Sequence, residues 1–182
     1  MRRPVRYDAD VMTPPEVWLR GPVERIPPML QPVAHSLLQC REEVIRALEG
    51  VTAAELYYRP GGAASAAFHV RHAAGSLDRL FTYARGESLS AGQMEALRSE
   101  ETIDDGPDPS SRLIAIFETG VARALEQLSE TDDRRLLEPR GVGRAQLPST
   151  TLGLLVHAAE HTQRHTGQMV TTLRIARALL QR

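Results

Sequence analysis

Lysine and asparagine are missing from this chain of 182 residues, and all 22 of its basic side chains are arginine. A GC-rich genome would leave such a codon bias. It excludes one class of chemistry, because no lysine amine is present to form a Schiff base. Cysteine is nearly absent too: a lone Cys40 rules out an intramolecular disulfide and cysteine-rich zinc sites. It falls within an apolar helical pattern and reads as a buried, inert thiol. No run of 18 apolar residues occurs, so no membrane span is expected. Arg2 and Arg3 are followed by no apolar stretch, so no secretory signal is expected and the protein is placed in the cytoplasm. A net charge of −1 offers nothing to attract nucleic acid or an acidic membrane.

What is present is ordinary for a globular protein, with 42% hydrophobic and 25% charged residues. The length suits one domain with a sizeable core. Residues 1–27 are broken by Pro4, Pro14, Pro15, Pro22 and Pro27. They read as an extended arm tacked onto the body through Trp18 and Leu19. The body, 28–182, begins with a helix from Pro28 to Leu48, where Val33, Leu37, Val44 and Leu48 recur at helical spacing before Gly50 stops it. Tyr57 to Gly62 reads as a connection. A second helix runs from Ser65, its N-cap, to Ala84, with Gly86 as the stop. A shorter helix follows from Ala91 to Ser99, capped by Ser90, and then an acidic, proline-marked linker from Asp104 to Pro109. The third long helix spans about Ser110 to Leu128. Residues 132–148 form a long connection with room for a short hairpin, and the fourth helix starts at Ser149 or Thr150 and reaches nearly to the end. Four long amphipathic helices with no series of strands predict an all-α protein, a four-helix bundle with one short extra helix.

Half of the six histidines fall in one segment, as His157, His161 and His165. On a helix each i,i+4 pair shares a face, and two neutral imidazoles so placed can bind one metal ion. All three cannot share it, because at 1.5 Å per residue the outer two stand roughly 12 Å apart, against ligand bonds of about 2.1 Å. A third ligand must come from elsewhere. His35 stands alone and reads as a hydrogen-bonded helix histidine. His69 and His72, one turn apart on the second helix, are the candidates. Spacing chooses neither between them nor between the 157/161 and 161/165 pairs. His157-Ala-Ala-Glu160-His161 also reads as an inverted zinc-protease motif with Glu160 as base. That reading fails, since no Asp or Glu follows Glu160 to complete the ligand set.

His72-Ala-Ala-Gly-Ser76 and His161-Thr-Gln-Arg-His165-Thr-Gly167-Gln168 together resemble the second-helix and last-helix motifs of the DinB-like (YfiT-like) superfamily of bacterial metalloenzymes, over most of residues 30–180. The resemblance implies an up-down-down-up four-helix bundle, often a homodimer. It implies a metal triad of His72, His161 and His165, holding zinc, nickel or iron. His69, His157 and Gln168 are then neighbours of the site, able to hydrogen-bond ligands or a bound water. Gly167, unfavourable in a helix, is expected to allow another helix to approach.

Three histidines on a divalent ion leave a position open for water or substrate. Members of the superfamily include thiol-dependent S-transferases and isomerases using bacillithiol or mycothiol. The resemblance therefore implies a metal-activated thiolate attacking a small electrophile, with the thiol supplied from outside. No catalytic side chain is assigned. Arg71, Arg79 and Arg164 could bind the thiol's carboxylates, although each alone reads better as an ordinary helix-face arginine. The rival is a non-enzymatic, stress-related bundle whose ion is structural. An open coordination position favours the enzyme and a closed shell the structural role.

Overall fold

A computed structural model describes residues 14–104 and 106–181; residues 1–13 of the expected arm lie outside them. The chain is mostly helical. Its helices are α1 (Gln31–Leu48), α2 (Ala53–Tyr57), α3 (Ala66–Ala84), α4 (Ala91–Arg98), α5 (Pro109–Glu130) and α6 (Thr151–Leu180). A two-stranded antiparallel hairpin, β1 (Pro139–Val142) and β2 (Leu147–Thr150), precedes α6, with Pro139 opposite Thr150.

The helix starts are fixed by side chains that satisfy the first free amides. Ser65 accepts from the Phe68 amide at 3.2 Å, and Thr150 from that of Gly153 at 3.0 Å. Ser90 and Gln93 form a reciprocal capping box at the start of α4. Thr52 and Glu55 form another, and it makes a helix of α2 where only a connection from Tyr57 was expected.

The long helices pack in a closed circuit: α3 lies against α6 and α5, and α1 against the same two. Their apolar stripes meet in one core that includes Leu37, Leu77, Phe117, Val121, Leu155 and Met169. Cys40 lies in it, 1% exposed, and burial pushes its thiol up to about 12, as expected of an inert cysteine. No helix among the described residues is long and apolar enough to cross a membrane.

Two details differ from expectation. Trp18 and Leu19 are 61% and 57% exposed and do not anchor the segment before α1. Instead Val17 and Ile26 are buried. The Val17 amide donates to Gln39 Oε1 at 3.0 Å, and Arg20 Nη2 donates to Glu42 Oε2 at 2.8 Å. A short 3-10 turn over Val17–Leu19 puts only its first residue inward. Gly167 faces solvent, and a Cβ there would meet nothing within 4 Å, so it makes no room for another helix.

Two contacts position the functional region. Gln93 Nε2 donates to Asp78 Oδ2 at 2.7 Å and Thr82 Oγ1 at 2.8 Å, fixing α4 on α3 and carrying the turn after it inward. Arg140 Nε donates to the Ala84 carbonyl at 2.8 Å, so the hairpin caps the C-terminal end of α3 with a cation.

The core assignment is testable at two adjacent positions of α5. Phe117→Ala should lower unfolding free energy in urea by about 3–5 kcal/mol, whereas Ile116→Ala should change it by about 0.5 kcal/mol or less. Phe117 is 0% exposed and Ile116 50% exposed. Equal effects would mean that the buried face of α5 is wrongly assigned.

Candidate metal centre

Where α3 crosses α6, His72, His161 and His165 come together. One ring nitrogen from each can be chosen so that all three lie within 4.8 Å of one another. His72 Nε2 stands 3.1 Å from His161 Nε2. Donor atoms on one tetrahedral ion with bonds of about 2.1 Å lie about 3.4 Å apart, so this separation is close to that of two ligands sharing a cation. All three residues are half-buried.

Helix geometry sorts the histidines of α6. At 3.6 residues per turn each i,i+4 step turns about 40° around the axis, so residues 157, 161 and 165 spiral instead of forming a straight column. His165 and His161 flank the buried stripe of Ala158, Thr162 and Thr166, while His157 has turned out into solvent. His157 Nδ1 sits 3.2 Å from Glu160 Oε2, and its ring centroid is 5.5 Å from that of His161. Glu160 also pairs with Arg164 on the exposed face, away from any base role. Gln168 is exposed, and its side chain forms no hydrogen bond among the described residues. His35 Nε2 meets the Gly21 carbonyl at 3.0 Å, which is the plain structural role expected of it.

The supporting contacts contain the residue that sequence reasoning missed. Glu100 Oε2 lies 2.6 Å from His72 Nδ1, and Glu100 Oε1 lies 2.9 Å from Arg79 Nη1. That second contact is an ion pair whose angles fall outside hydrogen-bond geometry. Glu100 and Arg79 are only 6% and 8% exposed. Burial alone would raise the Glu100 carboxyl, but His72 and the Arg79 guanidinium outweigh it and hold it below the ordinary range. Gly75 leaves room for this pair, since a Cβ there would stand 2.8 Å from Arg79 Nη1 and 2.9 Å from Glu100 Oε1 and one of them would have to shift. A carboxylate on the far nitrogen fixes the tautomer of a ligating histidine and aims its other nitrogen. His69, 8% exposed, stands beside His165, with Nδ1 to Nδ1 at 3.1 Å. Phe68 stacks on His72 at 5.3 Å and 14°, forming an apolar wall.

The arginines near the cluster are already engaged. Arg79 holds Glu100, Arg164 holds Glu160, and Arg71 donates to the Thr102 carbonyl and to Tyr57 Oη. None is left to bind a ligand carboxylate at this site.

The cluster's electrostatics suit cation binding. Burial, then the neighbouring imidazoles, lower His69, His161 and His165, with His165 brought down to about 4. The rings are therefore neutral near pH 7, as ligands must be. His161 Nδ1 is buried without a partner, a further sign of a ring placed for something other than ordinary packing. Three close histidines of this kind could bind a metal ion.

Comparison with protein families finds that the DinB superfamily matches residues 36–169, nearly three quarters of the chain. Comparison with curated proteins finds no match.

The lowered histidines have a signed consequence for the metal-free protein. The unfolded His165 takes a proton near pH 6.5, while the folded one resists it down to about 4. Acidification through that window therefore favours the unfolded chain. With chelator present, thermal stability should fall as pH drops from 6.5 towards about 5, and His165→Phe should flatten the decline. An unchanged slope in the variant would mean that the buried imidazole is not what resists protonation.

Proposed function

The chain belongs to the DinB superfamily, and from that premise we propose that it is a divalent-metal-dependent enzyme transferring the sulfur of a low-molecular-weight thiol to a small electrophile. His72, His161 and His165 hold the ion, which is zinc, nickel or iron, all of them metals that imidazole suits. The observation that carries the reading is the convergence of three half-buried imidazoles from two helices, with no fourth histidine, cysteine or carboxylate joining the set among the described residues. A structural zinc site is closed by four protein ligands, whereas a catalytic one keeps a position open. The structural-ion alternative needs that fourth ligand.

The long helices are read as an up-down-down-up four-helix bundle, supported by the circuit in which α3 and α1 each pack on both α5 and α6. The homodimer implied by the family resemblance, and the cytoplasmic location expected from the sequence, belong to the same proposal.

A divalent ion in this centre supplies Lewis acidity, which lowers the pKa of a thiol or water that reaches it. The protein's own part is positional. Glu100 accepts the Nδ1 proton of His72 and so leaves Nε2 bare towards the cluster. His69 can accept the Nδ1 proton of His165 to the same end. Phe68 screens one side of His72 from water. Cys40 is buried and cannot supply the sulfur, so the thiol comes from outside, bacillithiol and mycothiol being the classes that the family resemblance implies. In the overall transfer the thiol sulfur bonds to the electrophilic carbon, the leaving group departs with its electron pair, and the thiol proton is released.

Metal content measured by elemental analysis tests the ligand set. The purified protein should carry close to one divalent ion per chain, and His161→Ala should lose it. Glu100→Ala should weaken metal affinity by about 10–100-fold, whereas Glu160→Gln should leave it unchanged. Undiminished metal in His161→Ala would overturn the triad. For the reaction, a panel of low-molecular-weight thiols with a generic alkylating electrophile should show thiol consumption that chelation abolishes. Consumption unaffected by chelation, or none by a fully loaded protein, would leave the ion a structural one.

A further inference from the structure

Around α3 from the histidines lies a second concavity, of about 850 Å³, walled by α3, α5 and the end of α4. Ligand sites for small molecules occupy roughly 300–1,000 Å³. The groove is open because its helices carry little there: Ala74 and Gly75 on α3 face Ala115, Gly120 and Ala124 on α5. A Cβ on Gly120 would stand 3.9 Å from the Cβ of Ala74, so the floor is thin but unstrained. Ile116 lines the groove while 50% exposed, an apolar side chain left in water.

The charges in the groove are unequal in availability. Its two carboxylates are committed, Asp78 to Gln93 and Glu100 to His72 and Arg79. Arg85 is held by Glu87 and Gln127, and Arg71 by the Thr102 carbonyl and Tyr57. The Arg123 side chain has no hydrogen-bond or ion-pair partner among the described residues. Glu126, one turn further along α5, lines a different cavity beside Val23 and Ile26. An apolar slot lined by three arginines and two carboxylates, with one guanidinium unpaired among the described residues, complements a molecule of apolar body and single negative charge.

We propose that this groove is a binding site for a small amphipathic acid, its apolar body against Ile116 and the floor of small residues and its carboxylate on Arg123. The site is separate from the proposed metal centre, and none of the three clustered histidines lines it. It meets that centre at one residue, Glu100, whose side chain is part of the groove wall and also holds His72.

Calorimetric titration of decanoate into the full chain tests this, with decanol as the neutral control. Decanoate should bind saturably, one per chain, and more tightly than decanol. Arg123→Glu, a surface change that does not touch the core, should weaken decanoate binding by about tenfold or more. Gly120→Leu should abolish it by filling the slot. Metal content should be unchanged in both variants, which separates this test from that of the triad. Absence of saturable decanoate binding would overturn the proposal, as would decanol binding equally well or affinity untouched by both substitutions. Sedimentation showing a dimer that Gly120→Leu dissociates would also overturn it, since a second copy of the chain would then fill the groove.

Discussion

The candidate site exists because α3 and α6 can approach closely over the stretch that carries the histidines. Both helices are lined there with small residues, Ala66, Ala67, Val70 and Ala73 on one and Ala158, Ala159, Thr162 and Thr166 on the other. Larger residues would hold the axes apart at a separation that short imidazole side chains could not bridge. The threonines add no unsatisfied polarity, because Thr162 and Thr166 donate to the carbonyls four residues back, at 2.8 and 2.9 Å. The helix contact thus sets the distance, and the distance makes a cluster of residues that lie about 90 positions apart in the chain.

Bringing imidazoles together in a half-buried place has an electrostatic consequence. Charging His69, His161 or His165 is opposed first by burial and then by the neighbouring rings. Rings packed together with no fixed charge beside them would have undefined tautomers. Glu100 removes that freedom for His72, and Arg79 in turn keeps Glu100 ionised, since a buried carboxylate without a cation would take up a proton. The order of dependence runs from Arg79 to Glu100 to His72, each link a contact of 2.9 Å or less.

Much of this was legible in the sequence, for identifiable reasons. The helix limits followed from caps and stops: Ser65, Ser90 and Gly86 act as their residue types predict. The spacing of His157, His161 and His165 pointed to a metal, and the 40° lag per four residues explains why only the later two face the core. The choice between His69 and His72 was not in the spacing, because both meet histidines of α6, and only the family motif separated them. Glu100 was invisible: it lies 28 residues from His72, in a turn after a helix with no buried residue of its own. The capping box at Thr52 and Glu55 was present in the sequence as a helix signal, but the helix it starts spans only five residues, too few to show a period. Trp18 misled because side-chain size was read as burial, while the turn it sits in presents only Val17 to the core.

Gly75 links these observations. In the middle of a helix glycine is disfavoured by about 1 kcal/mol relative to alanine, so propensity does not account for it. Its missing Cβ leaves the space in which Arg79 and Glu100 meet, and the same gap forms part of the groove wall on the far side of α3. The carboxylate that aims His72 is therefore backed by an open groove instead of by packed core. Glu100 thereby belongs to both features, holding His72 through a 2.6 Å hydrogen bond and forming part of the groove wall.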